Sequence, residues 1–289
     1  MISNRTTLAP AAAAGTIALG DLTVNRMGFG AMRLTGKGVW GPPRDRAEAV
    51  RVLRRAVELG VDFIDTADSY GPGVSEEIIA EALHPYPEGL VIATKGGFER
   101  PGPDRWTTNG RPEHLRRQLQ GSLRRLRLER IDLYQLHRID PAVPADEQLG
   151  ALREFQREGL VRHLGLSEVS VADIEAARRV VPIVSVQNRY NVNERQWERV
   201  VQFAEREGLA FLPWFPLSAG KLDQSAPLAR VANRKGLTPY QVALAWLLAH
   251  SPAMLVIPGT SSTRHLEENV AAAEVRLTPM DLAELDEGH

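Results

Sequence analysis

The sequence predicts an α/β fold: a closed (β/α)8 barrel of the TIM type with an N-terminal β-hairpin closing its bottom. Three observations predict it. Eight apolar runs of strand length alternate with helix-patterned segments from about residue 27 onward, and such alternation means parallel strands. Eight units in about 260 residues is the size of this barrel. Length alone permits one large domain or two small ones, but no composition shift or Pro/Gly/Ser linker divides the chain, so residues 16–289 are expected to be a single domain, with an open doubly wound sheet as the competing topology.

The elements are justified in chain order. Residues 1–15 carry Arg5 and then Ala11 to Ala14 without a sustained apolar run, which reads as a loose leader rather than a signal peptide. Thr16–Leu19 and Leu22–Val24, on either side of Gly20 and Asp21, read as the hairpin. The eight strands are expected at Met27–Met32, Val61–Thr66, Leu90–Thr94, Ile131–His137, Val161–Leu166, Ile183–Gln187, Ala210–Phe215 and Met254–Ile257. A helix over Arg44–Leu59 places Ala47, Val50, Leu53 and Val57 on one stripe, and Gly60 suits its stop. Ser170 with Asp173, and Asn193 with Gln196, have capping-box spacing. Thr238 and Thr278 each precede a proline, the pattern of a helix start. Gly96–Arg111 carries neither period and contains Trp106. A long loop after the third strand would lie on a barrel's catalytic face; the plain alternative is a disordered surface loop.

Composition excludes several functions. With 43% hydrophobic and 25% charged residues the chain is an ordinary globular one. A net charge of −1 argues against a nucleic-acid surface. No apolar run approaches the roughly 18 residues of a membrane span. There are no cysteines, hence no disulfide or thiolate chemistry. A cytoplasmic monomer or weak homo-oligomer is expected. Of 35 basic residues only four are lysines: Lys37, Lys95, Lys221 and Lys235. A lysine within a structural element therefore invites a question.

Four ionisable residues stand at or just beyond the ends of consecutive strands. Asp65 ends Phe-Ile-Asp-Thr, Tyr70 follows in Ala-Asp-Ser-Tyr-Gly, Lys95 ends Ile-Ala-Thr-Lys, and His137 ends Leu-Tyr-Gln-Leu-His. Barrel strands end at one mouth, so the four can converge. Each alone has a bland reading: a capping Asp, a packed Tyr, a snorkelling Lys, a core His. Together they make coherent chemistry. A phenol with an ordinary pKa of about 10 is a poor acid at neutrality, and an adjacent ammonium held by a carboxylate lowers it. A His N–H orients a carbonyl oxygen toward that phenol. No metal is needed.

The strings Phe-Ile-Asp-Thr-Ala-Asp-Ser-Tyr-Gly, Ala-Thr-Lys-Gly-Gly and Ile-Asp-Leu-Tyr-Gln-Leu-His resemble the tetrad motifs of the aldo-keto reductases. Gly-Phe-Gly-Ala-Met-Arg-Leu at 28–34, Gly-Leu-Ser-Glu at 165–168 and Val-Gln-Asn-Arg-Tyr-Asn at 186–191 continue the resemblance. Pro-Trp-Phe-Pro-Leu-Ser-Ala-Gly-Lys-Leu at 213–222, Ile-Pro-Gly-Thr-Ser-Ser at 257–262 and His-Leu-Glu-Glu-Asn at 265–269 complete it, in the right order. The resemblance implies reversible, NADPH-dependent reduction of aldehydes and ketones. Tyr70 would be the proton donor, Asp65 and Lys95 its tuning pair, and His137 the residue orienting substrate.

The same resemblance implies the cofactor contacts. Ser167 and Gln187 match the positions that hold the nicotinamide carboxamide, and Trp214 the aromatic that stacks on its ring. Gly30, Ala31 and Met32, with Pro216, Ile257 and Gly259, would border the cofactor. Leu217, Ser218, Gly220 and Lys221 match the pyrophosphate loop. Ser261, Ser262, Arg264 and His265 fall around the 2′-phosphate, and Glu268 and Asn269 around adenine. Trp40 and Trp106 are expected at the substrate pocket with Tyr70 and His137, and Arg138 and Arg189 stand nearby. Gly-Pro-Pro-Arg-Asp-Arg at 41–46 is similar to bacterial members of the pyridoxal-reductase type, which points to pyridoxal or other small carbonyl substrates.

Three departures qualify this. Glu168 stands where Asn is common beside the serine. The usual lysine near the 2′-phosphate is missing. The usual arginine aligns with His265, with Arg264 one place off, which leaves NADH open beside NADPH. Three rival readings explain less. A Rossmann dehydrogenase would need a helix opening after Gly28–Gly30, and Arg33 occupies its third glycine position. A Schiff-base aldolase explains Lys95 but not Tyr70 or Trp214. A cofactor-sensing regulatory subunit leaves the intact tetrad without a role. The arginines of 116–130 read as a solvated helix face.

Overall fold

The computed structural model describes residues 9–220, 222 and 225–287. Part of the expected loose leader is packed: Pro10–Ala14 forms a 3-10 turn, and the buried Ala11 donates its N–H to the Leu59 carbonyl at 3.0 Å. Residues 1–8 lie outside the described residues. β1 (Thr16–Leu19) and β2 (Leu22–Asn25) pair antiparallel from Thr16↔Asn25 to Leu19↔Leu22, forming the predicted hairpin. Gly20, at φ 66°, allows the tight turn and lies against His163, where a Cβ would meet the imidazole at 2.2 Å.

The barrel then follows as alternating strands and helices: β3 (Phe29–Gly30), α1 (Arg46–Glu58), β4 (Phe63–Asp65), α2 (Val74–Leu83) and β5 (Val91–Gly96). An inserted hairpin of β6 (Phe98–Gly102) and β7 (Arg105–Thr108) precedes α3 (Pro112–Leu126), β8 (Ile131–Leu136), α4 (Ala145–Arg157) and β9 (Val161–Ser167). Next come α5 (Val171–Arg178), β10 (Ser185–Gln187), α6 (Glu198–Glu207), β11 (Ala210–Phe211), α7 (Ala226–Lys235) and α8 (Pro239–His250). α9 (Thr263–Ala271) and α10 (Pro279–Asp286) finish the chain. None of the described helices is long and apolar enough to cross a membrane.

Seven parallel strands run in the order β11-β10-β9-β8-β5-β4-β3. The eighth segment closes the ring by hydrogen bonds rather than as a continuous strand. Leu255 donates to the Phe211 carbonyl at 2.9 Å, and Val256 donates to the Arg26 carbonyl at 2.9 Å. Gly28 donates back to Val256 at 2.8 Å. Pro252 and Pro258 flank this segment and Pro213 follows β11; none has a backbone N–H, so the ladders there are short. The same limit cuts the expected seventh strand from Ala210–Phe215 to Ala210–Phe211.

Two apolar layers result. Inside the ring Phe63, Val91, Leu133, Leu212 and Leu255 pack with Leu19 and Val24 of the hairpin, which plugs the bottom as expected. Between ring and helices lies the larger layer, for example Leu53, Ile79, Leu119, Leu152, Val201 and Leu244. Parallel register then aligns one rim: Gly30 faces Asp65, Lys95 faces Gln135, and Gln187 faces Ser167.

Local expectations fare unevenly. Asp45 caps α1, and capping boxes are formed at Ser170–Asp173, Thr238–Gln241 and Thr278–Asp281. The box expected at Asn193–Gln196 is not: α6 starts at Glu198, and the Asn191 side chain takes the Asn193 N–H at 3.0 Å in a local turn. Gly96–Arg111, expected to be irregular, holds the β6–β7 hairpin. Pro101 and Pro103 mask its strand pattern, and Asp104 turns the chain at φ 51°. Arg100 anchors this hairpin, donating to the carbonyls of Gly38, Val39 and Ser69 at 2.9, 3.0 and 2.7 Å.

Arg26 fastens the closing segment, donating to the carbonyls of Met254, Leu248 and Ser251 at 3.0, 2.9 and 2.5 Å. Arg26→Met should lower unfolding free energy by about 2–4 kcal/mol through loss of these charge-assisted bonds. Urea denaturation checks this; a loss below about 0.5 kcal/mol would mean the ring closes without them.

Candidate active site

The site is built where the rim brings the ends of β4, β5, β8, β9 and β10 together. Lys95, on β5, is fully buried. Its Nζ donates to Asp65 Oδ2 at 2.7 Å, to the Thr66 carbonyl at 2.8 Å and to the Tyr70 hydroxyl at 3.4 Å. The other carboxylate oxygen of Asp65 accepts from Gln187 Nε2 at 2.9 Å and Gln135 Nε2 at 3.1 Å. Full hydrogen bonding on both partners is what makes a dry ion pair tolerable.

The loop carrying Tyr70 is fixed from below. Thr66 and Asp68 donate their N–H groups to the carbonyls of Ala93 and Lys95 at 2.8 and 3.2 Å. Ser75, at the start of α2, meets the Thr66 hydroxyl at 2.8 Å. Beneath them the buried Glu76 accepts from Thr94 at 2.6 Å and from Arg125 Nε at 2.7 Å. Gly71, at φ 91°, redirects the chain immediately after the tyrosine.

Electrostatics correct one expectation. Lys95 was expected to lower the Tyr70 pKa, and it does act in that direction. Burial outweighs it, however, and Asp65 adds to burial, so the phenol is raised above its ordinary value. Lys95 goes the other way: burial alone would push it down, but Asp65 and Tyr70 together hold it above the usual lysine value. His137 is pushed well below the usual histidine range, first by burial and then by the charges of Lys95, Arg138 and Arg100. At neutral pH the set is therefore a protonated phenol, an ammonium and a neutral imidazole. His137 Nδ1 lies 3.4 Å from the Ser69 hydroxyl.

Tyr70 and His137 open into a cavity of about 490 Å³. Of the residues singled out from sequence, Gly30, Met32, Asp65, Trp106, Arg138, Ser167, Gln187, Trp214, Pro216, Leu217, Ile257 and Gly259 also line it. Gly30 and Gly259 are needed where the backbones meet: a Cβ on either would approach the other loop's carbonyl oxygens at 2.6 or 2.5 Å. Trp106 stands edge-on to Tyr70 at 6.4 Å and to His137 at 6.2 Å, with the Arg100 guanidinium 3.6 Å over its ring.

Other expected residues lie outside this cavity. The Trp40 backbone bridges to Gly71. Ala31 is buried in the turn that follows β3, and its carbonyl accepts from Ser75. Ser218 and Gly220 form a 3-10 turn. Lys221 lies outside the described residues. Ser261 and Ser262 precede α9, Arg264 and His265 stand in its first turn, and Glu268 and Asn269 lie further along it. At its first residue Thr263 gives both its N–H and its hydroxyl to Glu48 of α1, at 3.0 and 2.8 Å. Arg264 is exposed and contacts His265 at 3.0 Å and Glu268 at 3.3 Å.

Sequence reasoning missed Arg33, Val39, Phe98 and Phe215 as lining residues. Arg33 and Phe215 stand in strings that carry the family resemblance, and Phe98 is an aromatic in a segment that proves to be a strand. Glu168 has a clear job. At φ 56° it turns its carboxylate under the rim, where Oε1 accepts from Trp214 Nε1 at 2.7 Å and from the Arg189 N–H at 2.6 Å. An acid here locks the indole edge. Arg138 donates to the Ser167 hydroxyl at 2.9 Å.

Comparison with known proteins agrees with this arrangement. Residues 26–288 match the Aldo/keto reductase family. The chain belongs to that family. Among similar aldo-keto reductase relatives is an uncharacterized oxidoreductase of Schizosaccharomyces pombe, 50% identical over 96% of this chain and 90% of its own. Pyridoxine 4-dehydrogenase of Escherichia coli is 45% identical over 94% of this chain and 97% of its own. An aldo-keto reductase from Klebsiella pneumoniae, solved in complex with NADPH, superposes with a TM-score of 0.80 at 27% identity, covering 94% of this chain and 93% of that one. This aldo-keto reductase is accordingly an oxidoreductase, and its barrel is the one expected from sequence.

Lys95→Met should cost about 3–5 kcal/mol of stability, because it strands a buried carboxylate. Adding Asp65→Asn should restore part of that loss. Denaturant titration of the three variants measures the coupling; strictly additive losses would show that the pair does not act as a unit.

Proposed function

We propose that the protein reduces aldehydes and ketones to alcohols, reversibly, with NADPH as its cofactor and Tyr70 as the proton donor. One observation carries this reading: the Tyr70 hydroxyl, 3.4 Å from a fully buried ammonium, shares a single cavity with a neutral His137. A phenol that keeps its proton at neutrality is a loaded acid. His137 is uncharged, so it can donate a neutral hydrogen bond to a carbonyl oxygen without competing for the proton.

The residues present suit a nicotinamide cofactor. Trp214, locked by Glu168, offers a flat apolar shelf, and Ile257 and Pro216 extend it. The Ser167 hydroxyl and Gln187 amide present the donor and acceptor that a carboxamide requires. The close Gly30–Gly259 approach keeps the floor free of side chains. When bound, NADPH supplies the hydride. Leu217 and Pro216 would border it, with Ser218 and Gly220 beyond them and Ser261–Asn269 toward the adenosine. Its similarity to pyridoxine 4-dehydrogenase of Escherichia coli makes pyridoxal a sensible first substrate within a class of small carbonyl compounds.

Tyr70→Phe should lower kcat for carbonyl reduction by at least ~10²-fold while cofactor binding, read by tryptophan quenching, changes little. Near-normal turnover would remove Tyr70 from the mechanism. A screen of aldehydes and ketones with NADPH and with NADH tests the activity itself.

Cofactor choice rests on Arg264, since Glu48 already occupies the Thr263 donors. Arg264 is well exposed, its side chain retaining 75% of its solvent-accessible area, and solvent screens its charge. Arg264→Ala should therefore weaken NADPH by about 1 kcal/mol, roughly five-fold, and leave NADH nearly unchanged. Equal losses for both cofactors would assign the phosphate contact elsewhere.

A further inference from the structure

Two charged groups of the cavity lining, Arg33 and Arg138, are left unused by the proposed chemistry, and Arg138 is the one packed against Ser167 and His137. Its Nη1 donates to the His137 carbonyl at 2.6 Å and to the Ser167 hydroxyl at 2.9 Å, which fixes the plane of the guanidinium. The group sits between the rings of Phe98 and Trp214, 5.7 and 5.9 Å from their centres. Its Nε and Nη2 form the opposite edge of the fork, and neither donates a hydrogen bond to any of the described residues. None of the described carboxylates lies within ion-pair distance of it. Glu168 feels its charge, yet Glu168 Oε1 is committed to Trp214 and to the Arg189 N–H.

Other buried or half-buried arginines use this edge: Arg125 gives its Nε to Glu76, and Arg26 and Arg100 spend Nε and Nη2 on backbone carbonyls. A half-buried guanidinium with no carboxylate bonded to it keeps donors that a ligand can satisfy. Within the cavity lining the only acid is Asp65, and Lys95 already neutralises it. Arg138, with Arg33 also in the lining, leaves the mouth with an excess positive charge, and both Tyr70 and His137 feel that of Arg138.

We propose that Arg138 is a specificity-determining residue that selects carbonyl substrates bearing a carboxylate, bound side-on by its Nε and Nη2. The inference rests on the carbonyl-reductase reading above. Two parallel N–H donors on one planar edge match a carboxylate's two oxygens. A single anionic oxygen, such as the ionised ring hydroxyl of pyridoxal, satisfies one of them. The carboxylate takes no part in proton or hydride movement; it fixes the end of the substrate away from the carbonyl.

The test compares matched pairs: 4-formylbenzoate with its methyl ester, and 4-oxobutanoate with its methyl ester. In the unmodified enzyme each acid should show a KM at least ~10-fold lower than its ester, at similar kcat. In Arg138→Gln this ratio should collapse toward one, whatever the variant does to overall rate. A second arm needs no turnover: benzoate should quench tryptophan fluorescence of the cofactor-free protein, through Trp106 and Trp214, and Arg138→Gln should abolish the quench. Acid and ester handled alike, or a ratio that survives in Arg138→Gln, overturns the proposal and leaves carbonyl reduction standing. Preference for 4-formylphenyl phosphate over 4-formylbenzoate also overturns it. No turnover of any carbonyl, with the benzoate quench intact, would instead contradict the reductase reading alone.

Discussion

A lysine ammonium shut away from water is stable only if its charge and its donors are answered in place, and the barrel's rim is arranged around that requirement. Asp65 answers the charge of Lys95, the Thr66 carbonyl takes a second donor, and the Tyr70 hydroxyl takes the third. The pair extends further, because Gln135 and Gln187 complete the carboxylate. Four strands are thereby tied at one end by polar contacts, while their other ends are tied by the apolar plug of Leu19 and Val24. The ring is polar at its mouth and dry at its base.

That polarity sets the states of the other groups. Burial raises the Tyr70 phenol and lowers the His137 imidazole, so one holds a proton and the other carries no charge. Lys95 limits how far the phenol rises. A deeper tyrosine without the ammonium would be a weaker acid, and an exposed one would lose its orientation. The hairpin of β6 and β7 completes the enclosure by standing Trp106 against both groups, with Arg100 stapling that hairpin to the loops of Gly38, Val39 and Ser69.

Much of this was legible in the sequence, for physical reasons. Strand ends of a parallel barrel meet at one rim, so Asp65, Lys95 and His137 could be brought together from their positions alone, and Tyr70 from the short loop after Asp65. Caps such as Ser170 and Thr238 were legible because their hydrogen bonds are local. What was not legible depended on contacts distant in sequence. The sign of the Tyr70 shift turns on how deeply the loop is buried, which no residue pattern reports. Glu168 read as a departure from the family pattern until its bond to Trp214, 46 residues away in the chain, gave it a role. Likewise Glu48, 215 residues earlier in the chain, holds Thr263 at the start of α9, a contact that no local pattern reports. The hairpin hid behind Pro101 and Pro103, since a two-stranded ribbon tolerates prolines that a central strand does not.

The account depends most on Tyr70 holding its proton beside a charged Lys95. The direct measurement is NMR of protein labelled at tyrosine Cζ, titrated with pH, with the Tyr70 signal assigned by its loss in Tyr70→Phe. Burial outweighing the ammonium predicts that this signal keeps its phenol shift beyond pH ~10, the ordinary tyrosine value. A Tyr70 signal that turns to phenolate below about pH 9 would contradict the account.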